Sequence, residues 1–262
     1  MDLVILLLFL LLRHEVTTLE LHSVDVPPYI FRGESAHLVC RYNLQSDQLY
    51  SVLWYKDNDE FYKYVNSDQS QHIYEVEGIN VYPHKPDSQK VILQQVTLDA
   101  TGVYKCEVSA EAPQFATAHG QAYMEVIAPP TEGPTITGVE NIYATGDILA
   151  LNCTSGKSYP AAQITWFIND IKVKADSEMI IRHRDLLSTV SSLRLEVGPH
   201  HLTVGRINVR CVSIVRTSER ATERFEDLRE TNILVQGRTS FIGPCLPLLI
   251  AMMILHQTLV MN

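Results

Sequence analysis

The stretch VYKCEVSAEAP, residues 103–113, decides the fold of this chain. Its side chains alternate in character, so that Tyr104 and Cys106 share one face of a predicted β-strand. Cys40 lies upstream at a separation suited to a bridge partner, and Trp54 falls between the two cysteines. A tryptophan packed against a bridge between two sheets is typical of one kind of β-sandwich. We therefore predict a disulfide from Cys40 to Cys106, with Trp54 and Tyr104 in the core.

The same order of residues occurs a second time. Cys153 and Cys211 enclose a segment of similar length, and Trp166 follows the first of them. This repeat predicts a second disulfide, with Trp166 in its core. It also predicts an all-β chain of two tandem immunoglobulin-like β-sandwiches, over residues 22–128 and 135–236.

Details around each second cysteine distinguish the two sandwiches. The longer first segment leaves room for additional strands and predicts a variable-type domain, whereas the shorter second segment predicts a constant- or intermediate-type domain with fewer strands. Strand F is the strand that carries the second cysteine of each pair, Cys106 or Cys211. Tyr104 is placed to bond back to the chain before strand F, but Val209 occupies that place in the second domain. The usual acidic residue before strand F is displaced, with Ala100 at its position and Asp99 one earlier.

Such disulfides persist in an oxidising compartment, so an export signal is expected. Leu3–Leu12 is an unbroken apolar run, too short to span a bilayer, and it is followed by Arg13. We predict a signal peptide over residues 1–18, cleaved after Thr18.

Prolines mark two further boundaries. Pro27 and Pro28 lack N–H donors, which confines them to a sheet edge or a switch between sheets. The proline-rich linker 129–134 predicts a stiff, extended connection with the domains end to end.

The tail from 241 to 260 is largely apolar, and its last basic residue, Arg238, precedes it. A removable glycolipid-anchor signal fits best, with small residues at Gly237–Ser240 near the attachment site. A spanning helix and a secreted form with a dispensable tail remain open. Cys245 lies within this tail and is given no role.

Strand alternation and a crowding of aromatic residues together predict a recognition face on the first domain. The run LYSVLWYKDNDEFYKYV, residues 49–65, is predicted to form strand C, a polar turn at Asp57–Glu60 and strand C′. Tyrosines bury large areas at interfaces at low entropic cost, although ordinary sheet-surface aromatics would give the same pattern. The predicted partner-binding residues are Leu53, Tyr55, Phe61, Tyr62, Tyr64, Lys105 and Glu107.

Catalysis and nucleic-acid binding are not expected. The net charge is −9, and the sequence contains no run of basic residues that could bind phosphates. His183-Arg184-Asp185 lacks the other kinase motifs and is interpreted as a polar loop, and the adjacent His200-His201 as a turn. We therefore predict no enzyme activity, no metal and no cofactor. The one sequon, Asn152-Cys153-Thr154, predicts a glycan at Asn152, or else a plain strand asparagine beside a bridged cysteine.

Three runs carry a family resemblance: 49–65, 103–113 and 152–170. In these runs the chain resembles the beaten-path family of neuronal immunoglobulin-superfamily guidance proteins. The resemblance implies an extracellular, cell-surface protein that binds sidestep-family receptors in axon guidance and synaptic partner choice. A freely secreted, anti-adhesive or modulatory factor and a homophilic adhesion molecule are the alternatives.

Overall fold

The computed structural model describes residues 19–83, 85–202 and 205–238. The predicted signal peptide, the apolar tail and Cys245 lie outside these residues. In the described part of the chain, no helix has the length and apolar character needed to cross a bilayer.

The first domain is a sandwich of a three-stranded and a six-stranded sheet. The strand order is β1-β3-β7 in the smaller sheet and β2-β9-β8-β4-β5-β6 in the larger. In chain order the strands are β1 Glu20–Asp25, β2 Tyr29–Phe31, β3 Ala36–Asn43, β4 Leu49–Lys56, β5 Asp59–Val65, β6 Ser70–Ile73, β7 Lys90–Leu93, β8 Gly102–Ala110 and β9 Thr117–Ile127.

Two features of this sandwich follow from the sequence. β5 and β6 extend the sheet beyond β4, as expected for a variable-type domain. Pro27 and Pro28 lie between β1, which pairs with β3, and β2, which pairs with β9 in the other sheet. The prolines therefore mark a switch between sheets, which confirms that prediction.

The core of the first domain is built on the disulfide between Cys40 and Cys106, whose Cα atoms are 6.2 Å apart. Trp54 is 1% exposed and lies directly opposite Cys106 across the β4–β8 pair. The Tyr104 hydroxyl donates to the carbonyl of Ala100 at 2.6 Å, which is the expected bond back to the chain before strand F. Burial raises the pKa of Tyr104 far above its usual value, so the hydroxyl stays protonated and keeps donating.

The second domain has a four-stranded sheet, β10-β12-β16-β15, and a five-stranded sheet, β11-β18-β17-β13-β14. Its strands are β10 Thr135–Thr137, β11 Ile142–Tyr143, β12 Ile148–Thr154, β13 Gln163–Ile168, β14 Ile171–Val173, β15 Ser177–His183, β16 Leu186–Glu196, β17 Arg206–Arg216 and β18 Glu226–Gly237. Both domains therefore have nine described strands, so the expected smaller strand set is not found. The five-stranded sheet nevertheless ends at the three-residue β14, without a further strand like β6.

The second core repeats the arrangement with different polar contacts. Cys153 and Cys211 are bonded, and the buried Trp166 donates its indole N–H to the Ser191 hydroxyl at 3.1 Å. Val209 is fully buried at the place that Tyr104 takes in the first domain, so this domain lacks the tyrosine bond.

The two domains contact each other directly beside the linker. Ile127 and Val215 are buried in one small cluster, and the rings of Tyr29, Phe31 and Phe225 pack against it. The centroids of Phe31 and Phe225 are 5.2 Å apart in an edge-to-face arrangement. The junction is thus held by side-chain packing between the two domains.

Replacing Tyr104 by phenylalanine should lower the free energy of unfolding of the first domain by about 1–3 kcal/mol, because the buried Ala100 carbonyl loses its partner. Urea denaturation measures this loss. Tyr42→Phe is the matched control, since the Tyr42 hydroxyl lies 3.5 Å from the Ser88 carbonyl in a partly buried site. Equal losses in the two variants would contradict the importance of the Tyr104 bond.

Candidate functional site

The candidate site is the outer face of the six-stranded sheet in the first domain. In β4, Val52 and Trp54 are buried, whereas Leu53 and Tyr55 point the other way and are partly exposed. β8 alternates in the same way, with its even-numbered residues buried from Gly102 to Ala110. The alternation predicted for strands C and F is therefore confirmed.

Register brings four of the predicted binding residues together on this face. Leu53 lies opposite Glu107, and Tyr55 lies opposite Lys105. Residues directly opposite on neighbouring strands have side chains in contact range. These four side chains form a contiguous patch across strands β4 and β8.

Lys105 is the centre of that patch. Its ammonium nitrogen lies 4.0 Å from the centroid of the Tyr55 ring and 3.5 Å from a carboxylate oxygen of Glu107. The Lys105 and Glu107 side chains are 29% and 28% exposed, so the charges are partly shielded from water. A cation over an aromatic face contributes about 0.5–1 kcal/mol at an exposed site, and more when water is removed.

The local charges also affect Tyr55. Burial raises the pKa of the Tyr55 phenol, and the carboxylates of Glu107 and Glu60 raise it further. At neutral pH the phenol is therefore protonated and can donate a hydrogen bond to a partner.

Three predicted binding residues are not on this face, and that part of the prediction is wrong. Phe61 and Tyr62 are 0% exposed and Tyr64 is 8% exposed. For Phe61 the cause is a bulge in the β4–β5 pair: Trp54 lies opposite Tyr62, but Tyr55 lies opposite Glu60. Phe61 is thus an extra residue in β5, and the period-two alternation is broken there.

These side chains belong to the core instead. Because Tyr62 and Tyr64 lie opposite the buried Trp54 and Val52, they share the inner face of the sheet with them. The Tyr62 hydroxyl donates to the Asp87 carbonyl at 2.9 Å, which satisfies its polar end.

The outer face also contains residues that were not predicted from the sequence. Lys63 lies opposite Leu53, His119 opposite Glu107, and Gln121 opposite Lys105. His119 and Gln121 belong to β9, whose exposed and less exposed residues alternate from Thr117 to Ala122. In the sequence, polar residues at 117, 119 and 121 alternate with Ala118, Gly120 and Ala122, and this pattern could have indicated the strand β9.

Asn152 lies on β12 in the second domain and is exposed. Its side-chain oxygen accepts a hydrogen bond from the Ser192 hydroxyl at 2.7 Å. The side chain is on the opposite face of the strand from the bridged Cys153, so glycosylation remains a prediction for an accessible position.

The histidine pair forms a turn, as interpreted from the sequence. His200 and His201 lie in a short 3₁₀ helix, Pro199–Leu202, and a ring nitrogen of His201 accepts the Gly198 N–H at 2.9 Å. Across residues 19–83, 85–202 and 205–238, no cluster of three or more histidine, cysteine or acidic side chains is arranged to hold a metal ion.

Comparison with known proteins agrees with this architecture. Residues 17–126 match the immunoglobulin domain family model, and residues 131–213 match the CD80-like C2-set immunoglobulin domain model. With two disulfide-bridged sandwiches that each match an immunoglobulin domain model, the chain is an all-β protein of two immunoglobulin-like domains.

The matched relatives include cell adhesion molecule 2 of Rattus norvegicus and of Homo sapiens, each 32% identical over 84 residues. The match covers 32% of this chain, and it spans 18% of the length of the human relative.

Two solved structures have a similar fold. "Rst D1-D2" is 20% identical with a TM-score of 0.54, and the match covers 85% of this chain and 100% of that one. Murine CEACAM1b is 17% identical with a TM-score of 0.52, with 82% and 100% covered. At these identities the likeness concerns the fold alone.

Alanine substitutions should separate core tyrosines from face tyrosines. Tyr62→Ala should lower the free energy of unfolding by about 3–5 kcal/mol, because it empties a fully buried aromatic site. Tyr55→Ala should cost under about 1.5 kcal/mol, since its ring is partly exposed. Chemical denaturation measures both, and a larger loss for Tyr55 would contradict the assignment of faces.

Asp57 provides a pH-dependent test of the turn that joins β4 and β5. Burial raises its pKa, but the Val103 backbone N–H at 2.8 Å and the Lys56 ammonium at 3.0 Å outweigh burial and lower the pKa below 3.8. A carboxylate with a depressed pKa stabilises the folded state above its unfolded pKa and loses that contribution as pH falls through the folded value. Stability should therefore drop below about pH 4.

Asp57→Asn removes this titration and retains an acceptor oxygen. The acid limb of its stability profile, measured by urea midpoints from pH 2 to 6, should be shallower than that of the wild type. Parallel profiles would show that Asp57 is not responsible.

Proposed function

We propose that this chain is an extracellular ligand for heterophilic cell adhesion and axon guidance, displayed at the cell surface. Its partner is a sidestep-like receptor, and it binds through the outer face of the first domain. The observation that carries the proposal is the Lys105 ammonium held between the Tyr55 ring and the Glu107 carboxylate on this sheet.

The physical character of the face supports a protein partner. Strands β4, β8 and β9 hold the patch on a rigid sheet, so little conformational entropy is lost on binding. Tyrosine and mixed charges are typical of interface centres, where removal of water strengthens the contact between Lys105 and Tyr55. A specific interface would bury about 800 Å² on each side.

The second domain acts as a spacer in this proposal. It contacts the first domain at the end where Phe31 and Phe225 meet, away from the middle of the outer face. Weak single contacts become effective when many copies are displayed between two membranes.

Cells that display the full chain, incubated with soluble sidestep-family ectodomains, test the proposal. Tyr55→Ala and Lys105→Glu should each weaken binding tenfold or more, that is by about 1.4 kcal/mol or more. Lys172→Glu, the same charge reversal at an exposed position in β14, is the matched control and should bind normally. Normal binding by Lys105→Glu, or no binding of any such receptor by the wild type, would refute the proposal.

A further inference from the structure

β15, with the sequence SEMIIRH, is an edge strand of the second domain. It pairs with β16 on one side and with no other strand of the described residues. Three consecutive apolar residues in its middle are exposed: Met179 by 61%, Ile180 by 62% and Ile181 by 40%. One exposed apolar residue is ordinary, but three in a row along a sheet edge are not.

Three other edge strands of the described sheets are protected in the usual ways. β10 and β14 have three residues each, and the six-residue edge strand β1 carries Glu20, His22 and Asp25. Short or charged edges discourage pairing with another chain. At seven residues, β15 is longer than each of these strands and lacks a charge at its centre.

The sequence of β15 is complementary to itself when it runs antiparallel. With Ile180 opposite Ile180 of a second copy, Met179 lies opposite Ile181, and Glu178 lies opposite Arg182. The last two contacts each occur twice because the arrangement is symmetric. Opposite charges and apolar pairs at directly opposed positions both stabilise a sheet.

We propose that two copies of this chain associate through β15, with a two-fold axis at Ile180. The free backbone groups of the two edges pair, and the two four-stranded sheets become one sheet of eight strands. A second copy is the occupant that fits, because antiparallel pairing of this strand with itself places Glu178 opposite Arg182 at both ends of the contact.

The direction of β15 determines how the dimer would be arranged. Just beyond its end, Asp185 forms an ion pair at 2.5 Å with Arg32 of the first domain, so β15 runs toward the first domain. The two-fold axis therefore points the first domains in opposite directions. The outer face around Lys105 belongs to a different sheet and a different domain, so it stays available to a receptor.

Sedimentation of the purified protein over a concentration series tests self-association directly. The wild type should show a monomer–dimer equilibrium, and Ile180→Lys should weaken it tenfold or more, because it places two ammonium groups opposite each other. Leu234→Lys is the matched control, since Leu234 is 64% exposed on β18, in the other sheet of the second domain. A wild type that stays monomeric, or a dimer unaffected by Ile180→Lys, would overturn the proposal.

A charge exchange tests the register. Glu178→Arg and Arg182→Glu each create two contacts between like charges and should each weaken the dimer about tenfold. The double variant restores opposite charges and should return to within about threefold of the wild type. A double variant weaker than either single one rules out this register, and circular dichroism confirms that each variant is folded. Because no receptor is involved, these results are independent of the proposed receptor binding.

Discussion

The structure depends on a covalent link between two sheets, made once in each domain. Each disulfide crosses a sandwich core and has a buried tryptophan beside it, Trp54 in one and Trp166 in the other. Closing loops with sequence separations of 66 and 58 residues stabilises each fold by roughly 4 kcal/mol in the entropic account. The link also fixes which side chains face inward, and so it determines which residues are left for recognition.

The inward positions of β4 and β8 could be predicted because they lie in register with the cysteines. Alternation from Cys106 placed Lys105 and Glu107 outside, and alternation from Trp54 placed Tyr55 beside them. In β5 the aromatic residues were assigned to the outer face because they crowd together, but Tyr62 and Tyr64 lie opposite the buried Trp54 and Val52, and Phe61, at the bulge, is buried as well. A bulge depends on the pairing of two strands, which residue character along one strand does not reveal.

Contacts between distant parts of the chain also could not be predicted from the sequence. Asp185 was interpreted as part of a polar loop, and it is in a tight turn after β15, but its ion pair with Arg32 spans 153 positions. The aromatic contact of Phe31 with Phe225 is similarly remote. Such contacts arise only when both domains are folded and placed against each other.

A further contact between the two domains lies at the same junction. The Glu125 carboxylate, 4% exposed on β9, accepts hydrogen bonds from both the backbone N–H and the hydroxyl of Ser218 in the second domain. A buried carboxylate deprived of these donors would be left without solvation, so bending the molecule at this point carries an electrostatic penalty. The two hydrogen bonds therefore favour one angle between the two domains.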